Sequence, residues 1–210
     1  MSGETLSQSA YRRLKEDIVE GRIPAESVLS ERGLADSLGI SRTPLRTAVS
    51  RLEAEGVLDR LPNGVILVRS ITVEQLMEIV KMRQLLESAA AGRAAGFPMT
   101  PDLAASRDEM QALAEGEAVV FDRFWEKDEV FHMAVARAAR LALLPDILVE
   151  QRAIARRCSL TRTYDSFRDQ AREHVAIADA IADGDAPRAH AAMWHHFDNV
   201  RARFLQTFGG

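Results

Sequence analysis

From residue 71 to residue 210 the chain carries almost no strand signal. Ala, Leu and charged residues recur there at helical spacing, interrupted by Gly96-Phe97-Pro98, by Gly116 and by Asp183-Gly184. The pattern predicts six helices, over about 72–95, 100–116, 117–139, 143–162, 166–182 and 186–208, the first opened by Thr72-Val73-Glu74-Gln75 in the manner of a capping box. Helices joined by short turns bury their apolar stripes against one another. The expected architecture is an antiparallel bundle whose functional groups face inward.

The first 70 residues have a different texture. Leu14 and Ile18 lie four apart, one turn after Tyr11, within a helical stretch over 6–20 that Gly21 can stop. Ser30 can cap a short helix containing Leu34, Ala35 and Leu38, which ends at Gly39. Ser41 can cap the next, which tolerates Pro44 in its first turn and presents Leu45, Val49 and Leu52 on one face. Val57-Leu58 and Val65-Ile66-Leu67-Val68 are β-rich, and Asn63-Gly64 between them signals a tight hairpin. We read residues 1–70 as three helices followed by a two-stranded wing, and residues 71–210 as a separate all-helical domain, making the protein mainly α.

Charge follows the same division. Ten Lys/Arg balance ten Asp/Glu in the first 70 residues, so the formal net charge of −4 falls entirely on the helical part. A neutral average is not the basic balance usual for a nucleic-acid partner, and the question passes to where the arginines sit. Neither an apolar run of membrane-span length nor a signal-peptide core at the start is present, and the single Cys158 has no internal disulfide partner. The expected location is the cytoplasm, with no membrane partner.

Two short helices joined by Leu38-Gly39-Ile40-Ser41 describe a helix-turn-helix. The N-terminal end of its second helix would enter the major groove with Ser41, Arg42, Thr43 and Arg46. Arginine can bond guanine edges or phosphates, and Ser and Thr can bond either. A wing tip at Asn63-Gly64 would let backbone approach the DNA. The run Leu29-Ser30-Glu31-Arg32-Gly33-Leu34-Ala35-Asp36-Ser37-Leu38-Gly39-Ile40-Ser41-Arg42-Thr43-Pro44-Leu45-Arg46, continued by Arg51-Leu52-Glu53-Ala54-Glu55-Gly56-Val57-Leu58, resembles the winged-helix signature of GntR-type bacterial regulators. The resemblance covers most of residues 8–68. It implies that Arg32, Arg42 and Arg46 contact DNA, assisted by the wing near Gly64. The chain departs from that signature at Ala25-Glu26, where the family has Pro-Gly, and at Val65, where it usually has glycine.

All five histidines lie in the helical part. Asp128 and His132 are four apart and share a helix face. His174 lies on a stripe with Ile177, Ala178 and Ile181, and His196 has Met193 and Val200 for neighbours, whereas His190 and His195 read as surface residues. Imidazole and carboxylate ligands suit Zn, Ni or a similar divalent transition metal. A lone helical histidine is more often an ordinary core or surface residue, so spacing by itself is weak ground. Cys158 reads as a packed small residue, and Arg152 and Arg156 as a helix-surface pair with a lesser claim to ligand binding.

The segment is also similar to the effector-binding domain (FCD) of the FadR branch of GntR regulators, in the group with a metal site. Arg83-x-x-Leu86-Glu87 resembles that group's opening helix, and Asp128-x-x-Phe131-His132, Glu173-His174 and Met193-x-x-His196 match its ligand segments. Leu141 departs from it, standing where many members have Asn. The resemblance implies a metal held by Asp128, His132, His174 and His196. It further implies a small carboxylate effector recognised with the help of Arg83, and a homodimer. The function so implied is that of a DNA-binding repressor rather than an enzyme. A metal-dependent enzyme built on the Asp/His set, and a metal of purely structural role, remain the alternatives at this stage.

Overall fold

The computed structural model describes residues 4–116, 120–156 and 167–206. These fall into two compact units, one built on the chain up to Thr72 and one from Val73 onward, with residues 153–156 grouped with the first.

In the first unit, α1 (Leu6–Val19) starts at a capping box in which Thr5 Oγ1 accepts from the Gln8 amide at 3.2 Å and Gln8 Oε1 accepts from the Thr5 amide at 2.9 Å. It buries Ala10, Leu14 and Ile18, spaced four apart. Helix α2 (Glu31–Leu38) is capped by Ser30, whose hydroxyl accepts from the Gly33 amide at 3.1 Å. It ends at Gly39, whose φ of 66° a residue with a Cβ adopts only at a cost. Helix α3 (Arg42–Ala54) buries Leu45, Ala48, Val49 and Leu52. Ser41 occupies its N-cap, but the predicted cap bond is absent: the side chain makes none.

The sheet holds one strand more than expected. β1 (Val28–Leu29), β2 (Leu58–Arg60) and β3 (Ile66–Val68) are antiparallel in the order β1-β3-β2, with Val28 opposite Leu67 and Arg60 opposite Ile66. Two residues are too few to show alternation, and β1 is held by backbone bonds that flank it, Val68 N–H to Ser27 O at 3.0 Å and Glu26 N–H to Val68 O at 2.9 Å. Glu26, standing in place of the family's glycine, takes φ 66°. Leu14, Ile18, Leu45, Val49, Leu52, Ile66 and Val68 close one core. Burying each such side chain contributes about 1.5–3 kcal/mol.

The second unit contains α4 (Val73–Ala94), α5 (Pro101–Glu115), α6 (Phe121–Ala138), α7 (Leu144–Arg156) as far as Arg152, α8 (Phe167–Ala182) and α9 (Ala186–Gln206). These match the predicted helices within a few residues. The expected beginning of α6, the extension of α7 to residue 162 and the last residues of α9 touch positions outside the described residues, as does Cys158. Helix α9 packs on α4 and α8, and α5 on α8 and α6. Alanine makes this closeness possible: Ala90, Ala91, Ala178, Ala180 and Ala189 are fully buried. At Gly92 an added Cβ would stand 3.3 Å from Ala186 O and from His190 Cβ, so any side chain there would ask the start of α9 to give by a few tenths of an ångström. Near Leu141, Arg140 takes φ 54° after the last turn of α6 and Leu144 N–H bonds Leu141 O at 3.2 Å.

Candidate functional site

Two groups of side chains carry chemistry, one in each unit. In the first, Ser41, Arg42, Thr43 and Arg46 are all exposed along the first turns of α3. Arg42 is free of ion pairs among the described residues. Arg46 Nε donates to Glu31 Oε2 at 2.9 Å with its side chain 63% exposed. Arg32, on α2, is more exposed still and lies 3.8 Å from Asp36, a contact worth little in water. At the wing tip Gly64 has φ 80° and open space where a Cβ would stand. Its amide donates to Leu61 O at 2.9 Å, and Asn63 Oδ1 accepts from the Val65 amide at 3.1 Å, which closes the turn.

In the second unit three helices bring His132 (α6), His174 (α8) and His196 (α9) together. All three are buried, and one ring nitrogen of each lies within 4.8 Å of the others. Asp128, one turn before His132, joins them: its Oδ1 is 3.4 Å from His174 Nε2 and 3.7 Å from His132 Nε2. The outer nitrogens are held. His132 Nδ1 bonds Glu87 Oε2 in a short contact, His196 Nδ1 bonds Glu173 Oε2 at 2.8 Å, and His174 Nδ1 faces Met110 Sδ at 3.4 Å. Phe131 stacks on His174 at 4.4 Å between ring centroids.

This set fits a divalent metal. His174 Nε2 is fully buried without a hydrogen-bond partner, a costly state for a lone pair unless something else fills it. Carboxylates on the far nitrogens of His132 and His196 fix the ring orientation and turn each Nε2 inward, the usual support of a metal-ligating imidazole. Three imidazoles and a carboxylate are a borderline donor set suited to Zn or Ni, and thiolate is absent from it.

Electrostatics shape the same groups. Burial alone would raise the Glu87 carboxyl, but Arg83 and His132 outweigh it and bring it down to about 2. Asp128 is likewise held well below its usual value, burial being overcome by Arg152 and His132. Burial pushes His174 well down, reinforced by His196, and lowers His196 despite Glu173. For His132 burial loses to Glu87 and Asp128, and its pKa rises.

Arg83, expected to recognise an effector, lies on α4 and is 8% exposed. Its Nε donates to Glu87 Oε1 at 2.8 Å, while its buried Nη2 makes no hydrogen bond. His190 and His195 are exposed as expected, the former stacked on Trp194. Sequence reasoning undervalued Arg152. Far from a surface residue, it is 2% exposed and donates to Asp128 Oδ2 at 2.6 Å and to Trp125 O at 3.2 Å. Its signal was the period of α7, since it follows the buried Leu144 and Leu148 at steps of four. Glu87 and Glu173 appear in the quoted motifs, but their part as imidazole partners emerges only from contacts.

Residues 6–68 match the gntR family of bacterial regulatory proteins, and residues 78–199 match the FCD domain. The chain belongs to the GntR family. A relative from Paenarthrobacter nicotinovorans named "Probable D-xylose utilization operon transcriptional repressor" is 32% identical over 188 residues, covering 86% of this chain and 80% of its own. The HTH-type transcriptional repressor RspR of Escherichia coli is 26% identical over 204 residues, covering 94% and 88%. A GntR transcriptional regulator from Rhodococcus sp. RHA1 shares the fold with TM-score 0.71 at 22% identity, over 95% of this chain and 97% of that one. Family membership makes this GntR protein a DNA-binding transcriptional regulator. No helix among its described residues is long and apolar enough to cross a membrane.

Proposed function

We propose that this GntR protein is a homodimeric repressor whose operator binding is tuned by a small organic acid bound at a metal centre. Residues 1–70 form the DNA-binding domain, with Arg32, Ser41, Arg42, Thr43, Arg46 and Gly64 at the duplex. Residues 71–210 form the effector-binding and dimerisation domain. The observation that carries the sensory half is the unpartnered His174 Nε2 amid three converging imidazoles and Asp128. These four residues would hold the metal, which when bound supplies a Lewis acid for carboxylate oxygens.

Arg83 has its Nε on Glu87 and a buried Nη2 left over, the arrangement of a charge that completes recognition of an anion. Two recognition helices, one per protomer, suit half-sites one helical turn apart. Met82, Leu85 and Leu86, exposed together on α4, are apolar area of the kind an association surface needs. Repression follows the names of relatives such as the D-xylose repressor. The effector acts by binding one arrangement of the dimer better than another, since equal affinity for both would shift nothing.

The test uses duplexes selected from a random pool by the parent protein. Arg42→Ala and Arg46→Ala are each expected to weaken sequence-specific binding by about 5- to 150-fold, the ~1–3 kcal/mol of one base contact, with metal content intact. A His174→Ala/His196→Ala variant is expected to lose bound metal by elemental analysis. Parent-like affinity in the first pair, or full occupancy in the second variant, overturns the corresponding half.

A further inference from the structure

The DNA-facing end of α3 carries an unexplained carboxylate. Glu31 opens α2, where negative charge suits the helix N-terminus. That role needs no partner, yet both Glu31 oxygens are engaged by arginine. Oε2 accepts from Arg46 Nε at 2.9 Å, and Oε1 accepts from Arg60 Nη1, also at 2.9 Å. Arg60 lies on β2, opposite Ile66, and its Nε donates to Glu53 Oε1 at 2.8 Å near the other end of α3. One carboxylate therefore ties the start of α2, the recognition helix and the sheet that bears the wing.

The arrangement acts on one edge of Arg46 only. Its Nε–H edge is bound to Glu31, whereas its Nη groups have no protein partner among the described residues. A guanidinium gripped in this way presents two parallel donors end-on, the geometry that meets guanine O6 and N7 or a pair of phosphate oxygens. We propose that Glu31 is a positioning residue for DNA recognition, orienting Arg46 through Nε so that its free edge reads the operator. This rests on Arg46 being a DNA contact. An acid at the DNA face has a second effect of opposite sign on unselective binding, because it repels phosphates wherever the protein lands. Glu31 thus raises the ratio of specific to non-specific affinity from both sides.

The experiment measures affinity of the full-length protein for a duplex selected from a random pool by the parent, and for a scrambled duplex of equal composition. In Glu31→Gln, which keeps the length and removes the charge, specific affinity is expected to fall about two- to tenfold, the cost of immobilising one freed side chain. Non-specific affinity is expected to hold or rise. Glu31→Asp keeps the charge and withdraws the grip, and is expected to lose specific affinity with non-specific affinity unchanged. In an Arg46→Ala background Glu31→Gln is expected to have no further effect on specific binding. Specific and non-specific affinity rising together in Glu31→Gln would mean simple repulsion and overturn the proposal, as would a parent-like ratio in both Glu31 variants or an undiminished effect without Arg46. Arg46→Ala binding the selected duplex like the parent would instead overturn the underlying assignment of Arg46.

Discussion

Arg152 and Asp128 form a buried ion pair whose rupture has a calculable cost. Arg152 is 2% exposed, Asp128 5%, and the Nη1–Oδ2 distance is 2.6 Å. In Arg152→Ala the Asp128 carboxylate keeps its burial and loses its strongest counter-charge. Removing one member of such a pair costs about 3–5 kcal/mol. His132, 3.7 Å from Asp128 and already pushed toward its protonated form, compensates in part, which places the cost near the lower end, about 3 kcal/mol. For a chain of this size each kcal/mol moves Tm by about 2–4 °C, so the transition of the helical unit should fall by about 6–12 °C in calorimetry with chelator present. In an Asp128→Asn background the buried Arg152 has already lost this counter-charge, so the same change removes a stranded charge and should cost less than about 1 kcal/mol or even stabilise. Added zinc should recover more of the loss in Arg152→Ala than it adds to the parent, because Asp128 is then free to serve the metal alone. A fall of less than about 3 °C, or an equal cost in both backgrounds, would refute the reasoning.

Two further outcomes concern the winged-helix unit. Glu26→Gly should stabilise it by about 0.5–1 kcal/mol in thermal unfolding, since an L-residue at φ 66° costs about 1–2 kcal/mol and the added freedom of glycine returns part of that; no gain would refute the strain. Partial burial would raise the Glu55 carboxyl, but bonds from Lys15, Tyr11 and Arg51 bring it below the usual glutamate value. A folded pKa below the unfolded one contributes stability above the ordinary glutamate range that is lost as pH falls through the folded value. Glu55→Gln should therefore show a shallower drop of Tm between about pH 6 and pH 3 than the parent, and parallel curves would refute the linkage.

Much of the site was legible because helical spacing is local. Asp128 and His132 had to share a face, and His174 had to lie with Ile177 and Ile181. What spacing could not say is which faces meet. His132, His174 and His196 come from three helices, and the separation of their ligand atoms depends on how closely α6, α8 and α9 pack. That closeness rests on alanines whose individual signal is faint. Arg152 was misjudged for a related reason: an arginine on a helix is ordinarily solvated, and only the buried Asp128 opposite explains its place inside.

The helix-turn-helix and its exposed Arg42 and Arg46, the division in texture near residue 70 and the inward stripes of the later helices follow from the chain itself. Each depends on contacts a few residues apart, which order in sequence dictates. The third strand at Val28–Leu29, the grip of Glu31 on Arg46 and Arg60, and the unpartnered His174 nitrogen belong to the tertiary structure. Hydrogen bonds and desolvation act at distances of a few ångströms between groups far apart in sequence, and only packing decides which groups those are.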